Sequence, residues 1–426
     1  MKATLLSALL LVSGAGTVAG LDTPAERAIA RARTAVEARP EHAPAHNQLA
    51  LALSRRARET ADGSWYDRSD EVLTRSLELA PGNYEAQKLQ VWNLLGRHEF
   101  GAARERAEEL NRVAPDDVLV YGFLVDACVE LGDFAAAEDA AQWMLDLRPG
   151  NVPGLTRAAY LRELFGDVEG ALQLLIQAYQ SLPAQETEDR AWVLTHVAHI
   201  YTSTGRRTPA EEALERALEL FPDYHYALAE LAEVRAGQGR HAEAVEILRR
   251  RYAVAAHPEN LYELAVALRK AGEEDEALEL FARFEADALA ESESVDNANG
   301  QLVAYYLDHA PAGEGGAARA LALTERELGR RGDVHTRHAH ARALHAAGRH
   351  AEAREVIEGV LAVGLRDATM LYHAGLIARD AGDAEAGRRY LRESLRADPA
   401  SPVAEDARRE SYGVRTRGTA WLPIWH

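Results

Sequence analysis

Two segments of the chain place histidines and carboxylates at spacings that bring side chains onto one face of an α-helix. His196 and His199 are three residues apart, and Glu230 and Glu233 repeat that spacing further along. Imidazole and carboxylate groups are ligands for zinc, nickel or copper, and imidazole also titrates near neutral pH. Three alternatives follow for these residues: hydrated His–Glu contacts, a peptide-binding patch that responds to pH, or a metal site.

A further group of histidines lies nearer the C-terminal end. His335, His338 and His345 are separated by helical steps, and Arg342 falls on the same stripe. The fixed positive charge of the arginine would repel a metal ion. The stripe is therefore predicted to contact water or peptide rather than a cation.

The sequence contains none of the motifs that mark common catalytic centres. It has no His-Glu-x-x-His, no phosphate loop, no nucleophile elbow and no dinucleotide-binding glycine pattern. The single cysteine, Cys128, lies between Ala127 and Val129, which is typical of an inert buried thiol and excludes an internal disulfide. We predict a protein that is not an enzyme and needs no cofactor.

The amino-acid composition limits which class of molecule the protein can bind. The 426 residues are 47% hydrophobic, which is enough to build a large folded body. Acidic residues outnumber basic ones by 67 to 48, a formal net charge of -19. Such a polyanion is a poor ligand for nucleic acid, because neutralising phosphates requires clustered cations.

The first twenty residues have the features of a secretory signal peptide. A positive start at Lys2 precedes an apolar stretch over residues 3–12 and small residues over 13–20. The apolar stretch is too short to span a bilayer, so no stable membrane insertion is expected. Residues 1–20 are predicted to be cleaved and the remainder to be periplasmic or secreted. The alternative is that they form a first solenoid helix.

The positions of proline and glycine show an internal repeat. Pro81, Pro115, Pro149 and Pro183 follow one another at intervals of 34 residues. Within the units a glycine is followed five residues later by a small residue. The glycines are Gly132, Gly166, Gly205, Gly239, Gly272, Gly348 and Gly382, and the small residues are Ala137, Ala171, Ala210, Ala244, Ala277, Ala353 and Gly387.

Each element of the repeat has a mechanical role in a pair of helices. Apolar residues between a proline and the next glycine recur at helical spacing. The glycine ends the first helix, the small residue lets the second helix approach closely, and the proline ends that second helix. Helix caps are predicted at Asn83, Asp117, Asn151 and Asp223, with capping boxes at residues 23–26 and 208–211.

The segments GDFAAAEDAAQWMLDLRP (132–149) and GRRTPAEEALERALELFP (205–222) carry this pattern most clearly. A 34-residue helix-turn-helix of this kind resembles the tetratricopeptide repeat family. The resemblance implies an all-α, right-handed superhelical solenoid of about ten units over residues 21–399.

Some units depart from the family pattern. The first is predicted to be a lone second helix at residues 24–39, the unit ending at Pro81 is stretched by residues 59–64, and residues 309–316 are an insertion. Residues 400–426 break the repeat and contain Tyr412, Trp421 and Trp425. They are predicted to form a C-terminal cap or a partner-docking tail.

In this family the first helix of each unit lines a concave groove, where the resemblance implies that extended peptides or partner helices bind. Counting back from each glycine predicts which side chains face that groove. The predicted partner-binding residues are Tyr160, Trp192, His196, His199, Tyr226, Glu230, Glu233, Tyr262, His335, His338, Arg342, His345 and Tyr372. The family's lysine and asparagine clamp for a C-terminal carboxylate is not carried over, since Lys88 is the only lysine in such a place.

Two hypotheses follow. The first is a non-catalytic periplasmic scaffold that holds a peptide or protein partner of the cell envelope in its groove, favoured by the acidic charge for a basic partner segment. The second is an envelope metal-handling protein that uses the groove histidines. The resemblance also allows an assembly subunit for exported polysaccharide, although no residue selects it.

Overall fold

The computed structural model describes residues 23–311 and 315–411 as an all-helical chain. The predicted signal peptide and the aromatic residues of the predicted tail lie outside these ranges. Among the described helices, none is long and apolar enough to cross a membrane. The helices are α1 (Pro24–Ala38), α2 (Ala43–Thr60), α3 (Ser64–Leu79), α4 (Tyr84–Gly96), α5 (Phe100–Val113), α6 (Val118–Glu130), α7 (Phe134–Leu147), α8 (Val152–Leu164), α9 (Val168–Ser181), α10 (Thr187–Ser203), α11 (Arg207–Leu220), α12 (His225–Gly237), α13 (His241–Val254), α14 (Pro258–Ala271), α15 (Glu274–Glu291), α16 (Asn299–Asp308), α17 (Gly316–Leu328), α18 (Val334–Ala346), α19 (His350–Val363), α20 (Ala368–Asp380), α21 (Ala384–Ala397) and α22 (Ala404–Ser411).

The helices pair into ten units, from unit 1 (α2 and α3) to unit 10 (α20 and α21). In most neighbouring units the first helices contact each other, as in α2 and α4, α4 and α6, α6 and α8, α10 and α12, α16 and α18, and α18 and α20. Each second helix packs mainly between first helices, which puts the first helices on the concave side. All seven predicted glycines have positive φ, and α3, α5, α7, α9, α11 and α21 each end two residues before their proline. The predicted all-α solenoid is confirmed.

The helix ends confirm part of the predicted capping. Thr23 and Glu26 form the reciprocal capping box, and Asn83, Asp117 and Asn151 accept backbone N–H groups at the starts of their helices. Two predictions are wrong. The helix expected to begin after Thr208 begins at Arg207 without a side-chain cap, and α12 is preceded by Tyr224. Asp223 instead has a φ of 61° and pairs with Arg250 on α13.

The ends of the solenoid differ from its middle. Helix α1 is the predicted lone helix, and the buried Glu59 near the end of α2 accepts hydrogen bonds from Thr23 and from the Ala25 N–H. At the other end α22 packs on α21 and buries Ala404 and Ala407. Each end of the described chain is thus covered by one extra helix.

Successive turns of the superhelix touch one another, and we call this line of contacts the seam. The turn inside units 2 to 5 lies against a loop about six units further along the chain. In unit 2, His98 Nδ1 is 3.1 Å from Asp296 Oδ1. In unit 3, the Gly332 N–H donates to the Glu130 carbonyl at 2.8 Å.

Glycines let the backbones meet along the middle of the seam. A Cβ on Gly332 would lie 2.8 Å from the Leu131 carbonyl oxygen, and one on Gly132 would clash with the Gly332 carbonyl. In unit 4, a Cβ on Gly364 would lie 2.6 Å from the Phe165 backbone. No side chain fits between these backbones, so the two turns are in direct contact.

Ion pairs close the seam at its two ends. In unit 5, Arg207 makes two contacts with the Asp398 carboxylate, at 3.0 and 2.7 Å, and a third with the Ala400 carbonyl. In unit 1, Arg58 contacts both Glu188 oxygens at 2.8 Å, and its carbonyl is 2.9 Å from His225 Nε2. The contacts thus join units 2 to 5 to the second turn, and they join unit 1 to the starts of units 5 and 6.

Candidate functional site

The first helices of units 2 to 10 are the even-numbered helices from α4 to α20. Together with the seam they enclose one surface, which we call the inner surface. One of its residues is His199 on α10. His199 Nε2 lies 3.3 Å from Glu163 Oε1 on α8, and Nδ1 lies 3.1 Å from Glu230 Oε1 on α12. One imidazole therefore bridges three consecutive units.

The two carboxylates decide the charge of this histidine. Burial alone would lower the pKa of His199, but the hydrogen bonds and charges of Glu163 and Glu230 hold it well above 6.5. His199 is therefore protonated at neutral pH. The bridge is a cation held between two anions, which occupies both ring nitrogens.

His196 behaves in the opposite way, one turn earlier on α10. Its ring lies on the Trp192 ring at a centroid distance of 3.8 Å, and Nδ1 is 2.9 Å from the Trp192 carbonyl. Burial lowers the pKa of His196, and the positive charge of His199 adds to this effect. The predicted pair thus consists of one neutral and one charged imidazole.

Carboxylates crowd the same part of the inner surface. The pKa of Glu233 is raised to about 7 by burial, by Glu230, and by Asp367 and Glu263, although His199 opposes the shift. Glu233 is open to water but surrounded by protein on several sides. Glu230 Oε2 is buried and finds no hydrogen-bond partner in the described part of the chain. Lys270 on α14 interacts with Glu233, and Arg251 pairs with Glu263. Together with His199 these are three cations beside five carboxylates, namely Glu163, Glu230, Glu233, Glu263 and Asp367.

The second histidine group forms a network of its own. His338 Nε2 on α18 lies 2.9 Å from His373 Nδ1 on α20, and burial lowers the pKa of both well below 6.5. Arg342 makes two contacts with Asp308 on α16, at 2.8 and 2.7 Å. His345 Nε2 is 2.9 Å from Asp380.

His335 has no such contact with another histidine and is exposed. The predicted stripe is therefore held by pairs with neighbouring helices, and its members do not converge on one point. Within residues 23–311 and 315–411, no group of three or more His, Cys, Asp or Glu side chains is arranged to hold a metal ion.

The predicted tyrosines differ in the fraction of their surface that is exposed to solvent. Tyr160 and Tyr226 are 36% and 39% exposed, although charges and protein around them raise the pKa of each phenol. Tyr262 is more enclosed, with its ring 5.1 Å from that of Phe284. Tyr372 lies half-buried beside the second histidine group.

Two residues of the site were not among the predicted binding residues. Glu163 supplies half of the His199 bridge, and His373 supplies half of the histidine pair. Both stand at inner-face distances from their glycines, three residues before Gly166 and nine before Gly382. The repeat register therefore does place both on the inner face, although they were left out of the predicted binding set.

The histidines are expected to titrate far apart. In a histidine-selective NMR titration, His199 should have its midpoint above pH 6.5 and the buried His225 near pH 4. The stabilisation from charged His199 is complete below pH 6.5 and is lost as pH rises through its folded-state pKa. Glu163→Gln should lower the His199 midpoint and leave that of His225 unchanged. Equal midpoints in the parent protein would contradict the bridge.

Comparison with known families gives a consistent match. A family model described as tetratricopeptide repeat matches residues 88–152, 198–260 and 338–402, and a second model with the same description matches residues 259–287. These ranges together cover slightly more than half of the chain.

One curated relative is cellulose synthase operon protein C from Pseudomonas fluorescens (strain SBW25), with 28% identity over 196 residues. The match covers 43% of this chain and 15% of that relative, so the chain spans a small part of the relative's length.

Among solved structures, the human IFIT1 dimer with m7Gppp-AAAA superposes with a TM-score of 0.52 at 15% identity, over 87% of this chain and 86% of that chain. The human IFIT1 dimer with PPP-AAAA gives 0.50 at 13% identity, over 88% and 95%. At these identities the likeness concerns the fold alone.

Proposed function

Because the chain belongs to the tetratricopeptide repeat family, we propose that it is a non-catalytic scaffold that binds a segment of a protein partner on its inner surface. Repeats of this kind stack into extended concave surfaces that serve for binding. The proposal concerns the inner surface because it carries exposed aromatic and ionisable side chains that the packing of the repeats does not require.

The observation that carries the proposal is the set of water-exposed aromatic and ionisable groups inside the superhelix. Tyr160 and Tyr226 keep more than a third of their surface exposed there. Large rings with polar tips contribute contact area at low conformational cost, which suits recognition of a polypeptide. Around them Glu163, Glu230 and Glu233 supply negative charge.

The charge indicates the chemistry of the partner segment. The formal net charge is -19, and carboxylates crowd the inner surface beside His199. A lysine or arginine of the partner would relieve this repulsion. We therefore propose a partner segment with basic residues.

Capture from an envelope extract tests the proposal. Residues 21–426 would serve as bait beside two matched variants, one with Tyr160 and Tyr226 changed to Ala and one with Trp143 changed to Ala. Trp143 is 54% exposed and lies on the second helix of unit 3. The proposal expects a protein that is retained by the parent and the Trp143 variant and lost with the tyrosine variant. Equal retention by all three baits would refute it.

We also propose that the scaffold acts after export, as a periplasmic or secreted protein. The support is the charged, apolar and small-residue order of residues 1–20. N-terminal sequencing of the protein recovered from the expressing bacterium should begin near residue 20 or 21. A chain that still begins at Met1 would contradict export by this route.

Binding of a basic segment is expected to release protons and to strengthen several-fold between pH 6 and pH 8. Glu233, with a pKa of about 7, is partly protonated at neutral pH, and a bound cation favours its ionised form. Burial and Glu230 are the main causes of that raised pKa, with Asp367 and Glu263 adding to it and His199 opposing it. Lys270 on α14 also interacts with Glu233.

The measurement is calorimetry of the captured segment at several pH values in two buffers of different ionisation enthalpy. Glu233→Gln is the control, because the amide keeps the shape and cannot titrate. An affinity that is the same at pH 6 and pH 8, or an unchanged pH dependence in the variant, would argue against this linkage.

The curated relative favours a second candidate, in which the partner belongs to machinery for an exported polysaccharide. That relative is named as a protein of a cellulose synthase operon. Deleting the chain from its host should then lower the amount of extracellular polysaccharide. A normal amount of extracellular polysaccharide in the deletion strain would rule out this candidate and would not affect the general scaffold proposal.

A further inference from the structure

The seam changes what kind of partner can reach the inner surface. In a solenoid with separated turns, a partner can approach the concave side from the flank. Here the turns inside units 2 to 5 contact loops of the second turn. The contacts, in unit order, are the His98–Asp296 pair, the Glu130–Gly332 hydrogen bond, the close backbone approach at Gly364 and the Arg207 ion pair. The flank of the first turn is closed along this line.

The closure is tight as well as continuous. A Cβ on Gly166 would lie 2.9 Å from the Gly364 carbonyl oxygen, so even one methyl group does not fit between these backbones. The charged contact is also well packed, since Arg207 and Asp398 expose 15% and 7% of their side chains. One apolar cluster contains residues of both turns, among them Val129 and Val334. A partner does not pass through such contacts without separating the turns.

The two turns also influence each other electrostatically across the enclosed space. Asp333, which caps α18 in the second turn, contributes to the raised pKa of Tyr160 on α8. Asp367, which caps α20, contributes in the same way to Glu233 on α12. Interactions between exposed charges are largely screened beyond about 8 Å in physiological salt. Charged groups of both turns therefore border the inner surface.

We infer that the inner surface admits an extended, unfolded polypeptide segment that enters along the superhelix axis, and that a folded domain cannot dock on it from the side. This inference rests on the proposed function for its ligand and on the seam for its geometry. The partner class is accordingly a basic terminal or linker segment without tertiary structure of its own.

Cysteine accessibility tests the geometry without any partner. In a Cys128→Ser background, which removes the sole thiol, Tyr160→Cys places a thiol on the inner surface and Trp143→Cys places one outside. Each variant is treated with N-ethylmaleimide and with a maleimide attached to a folded carrier domain. The readout is the ratio of the two rate constants, because it cancels differences in thiol reactivity. Tyr226→Cys provides a second inner position.

We expect the carrier-to-small ratio to be at least 100-fold lower for the inner thiols than for the outer thiol. Adding Gly364→Ala, which puts a methyl group into the seam, should raise the inner ratio at least tenfold. Equal ratios for inner and outer thiols would overturn the inference and leave the capture experiment unaffected. A shielded inner thiol together with an empty capture would instead count against the proposed function alone.

Discussion

Replacing Gly364 with alanine is expected to lower the free energy of unfolding by about 3 kcal/mol and to open the seam. Gly364 has a φ of 129°, a conformation that costs L residues energy. The new methyl group would also lie 2.6 Å from the Phe165 carbonyl carbon, which belongs to the backbone and cannot rotate away. The strain is relieved when the loop before α20 moves off the α8–α9 turn.

Urea unfolding and small-angle X-ray scattering measure the two effects together. Gly382→Ala is the matched control, because Gly382 has a φ of 96° and no heavy atom within 4 Å of the new Cβ. The control should lose stability through backbone strain and keep its radius of gyration. An equal radius of gyration for both variants would show that the seam does not depend on the Gly364 contact.

Replacing Arg58 with alanine should cost about 3 kcal/mol, since it leaves a buried carboxylate without its cation. Glu188 exposes 12% of its side chain, and burial raises its pKa even with Arg58 present. Without the arginine, the Tyr224 hydroxyl, which is 2.8 Å away, is the one hydrogen-bond donor left to Glu188 within residues 23–311 and 315–411. The end of α2 would then lose its side-chain contact with α10 and keep the hydrogen bond between its residue 58 carbonyl and His225 on α12.

A neighbouring pair supplies the control for this prediction. Arg55 lies one helical turn earlier, 4.0 Å from Glu186, and both side chains are more than 40% exposed. Arg55→Ala should therefore cost less than about 1 kcal/mol in the same thermal or urea unfolding experiment. Replacing Arg58 and Glu188 together with methionine should recover most of the loss. Similar costs for Arg55→Ala and Arg58→Ala would contradict the assigned role of the seam pair.

The sequence was sufficient to predict the repeat, because the repeat is built from local rules. Glycine at the first helix end, alanine five residues later and proline after the second helix each act within a few residues. Unit 1 illustrates this, since its stretched segment was predicted and is observed as α2 continuing to Thr60 before a left-handed Ala61. The helix caps were harder to predict from the sequence, because the Asp223 carboxylate pairs with Arg250 instead of capping a helix.

Contacts of the site could be predicted from the sequence where they join neighbouring units, but not where they join units far apart in the chain. The register counted from Gly205 and Gly239 aligns His199 with Glu233 on the adjacent first helix and places Glu230 one turn earlier. The neighbourhood of these side chains was therefore predictable, and the observed His199–Glu230 contact is offset from the register by that one turn. Arg207 and Asp398 are 191 positions apart, and their contact depends on the twist summed over several units. Small rotations at each interface accumulate, and no single motif records their total. For that reason the seam was not predicted.

A closed seam also restricts how the gene can change. In an open solenoid each repeat touches its neighbours alone, so duplication or loss of a whole repeat is easily tolerated. In this chain the loss of one unit between Gly132 and Gly332 would move every contact of the second turn to the wrong partner. The geometry of the seam thereby fixes the number of repeats in this interval. Related chains that keep these glycines should also keep the number of repeats between them, while repeats outside that interval vary.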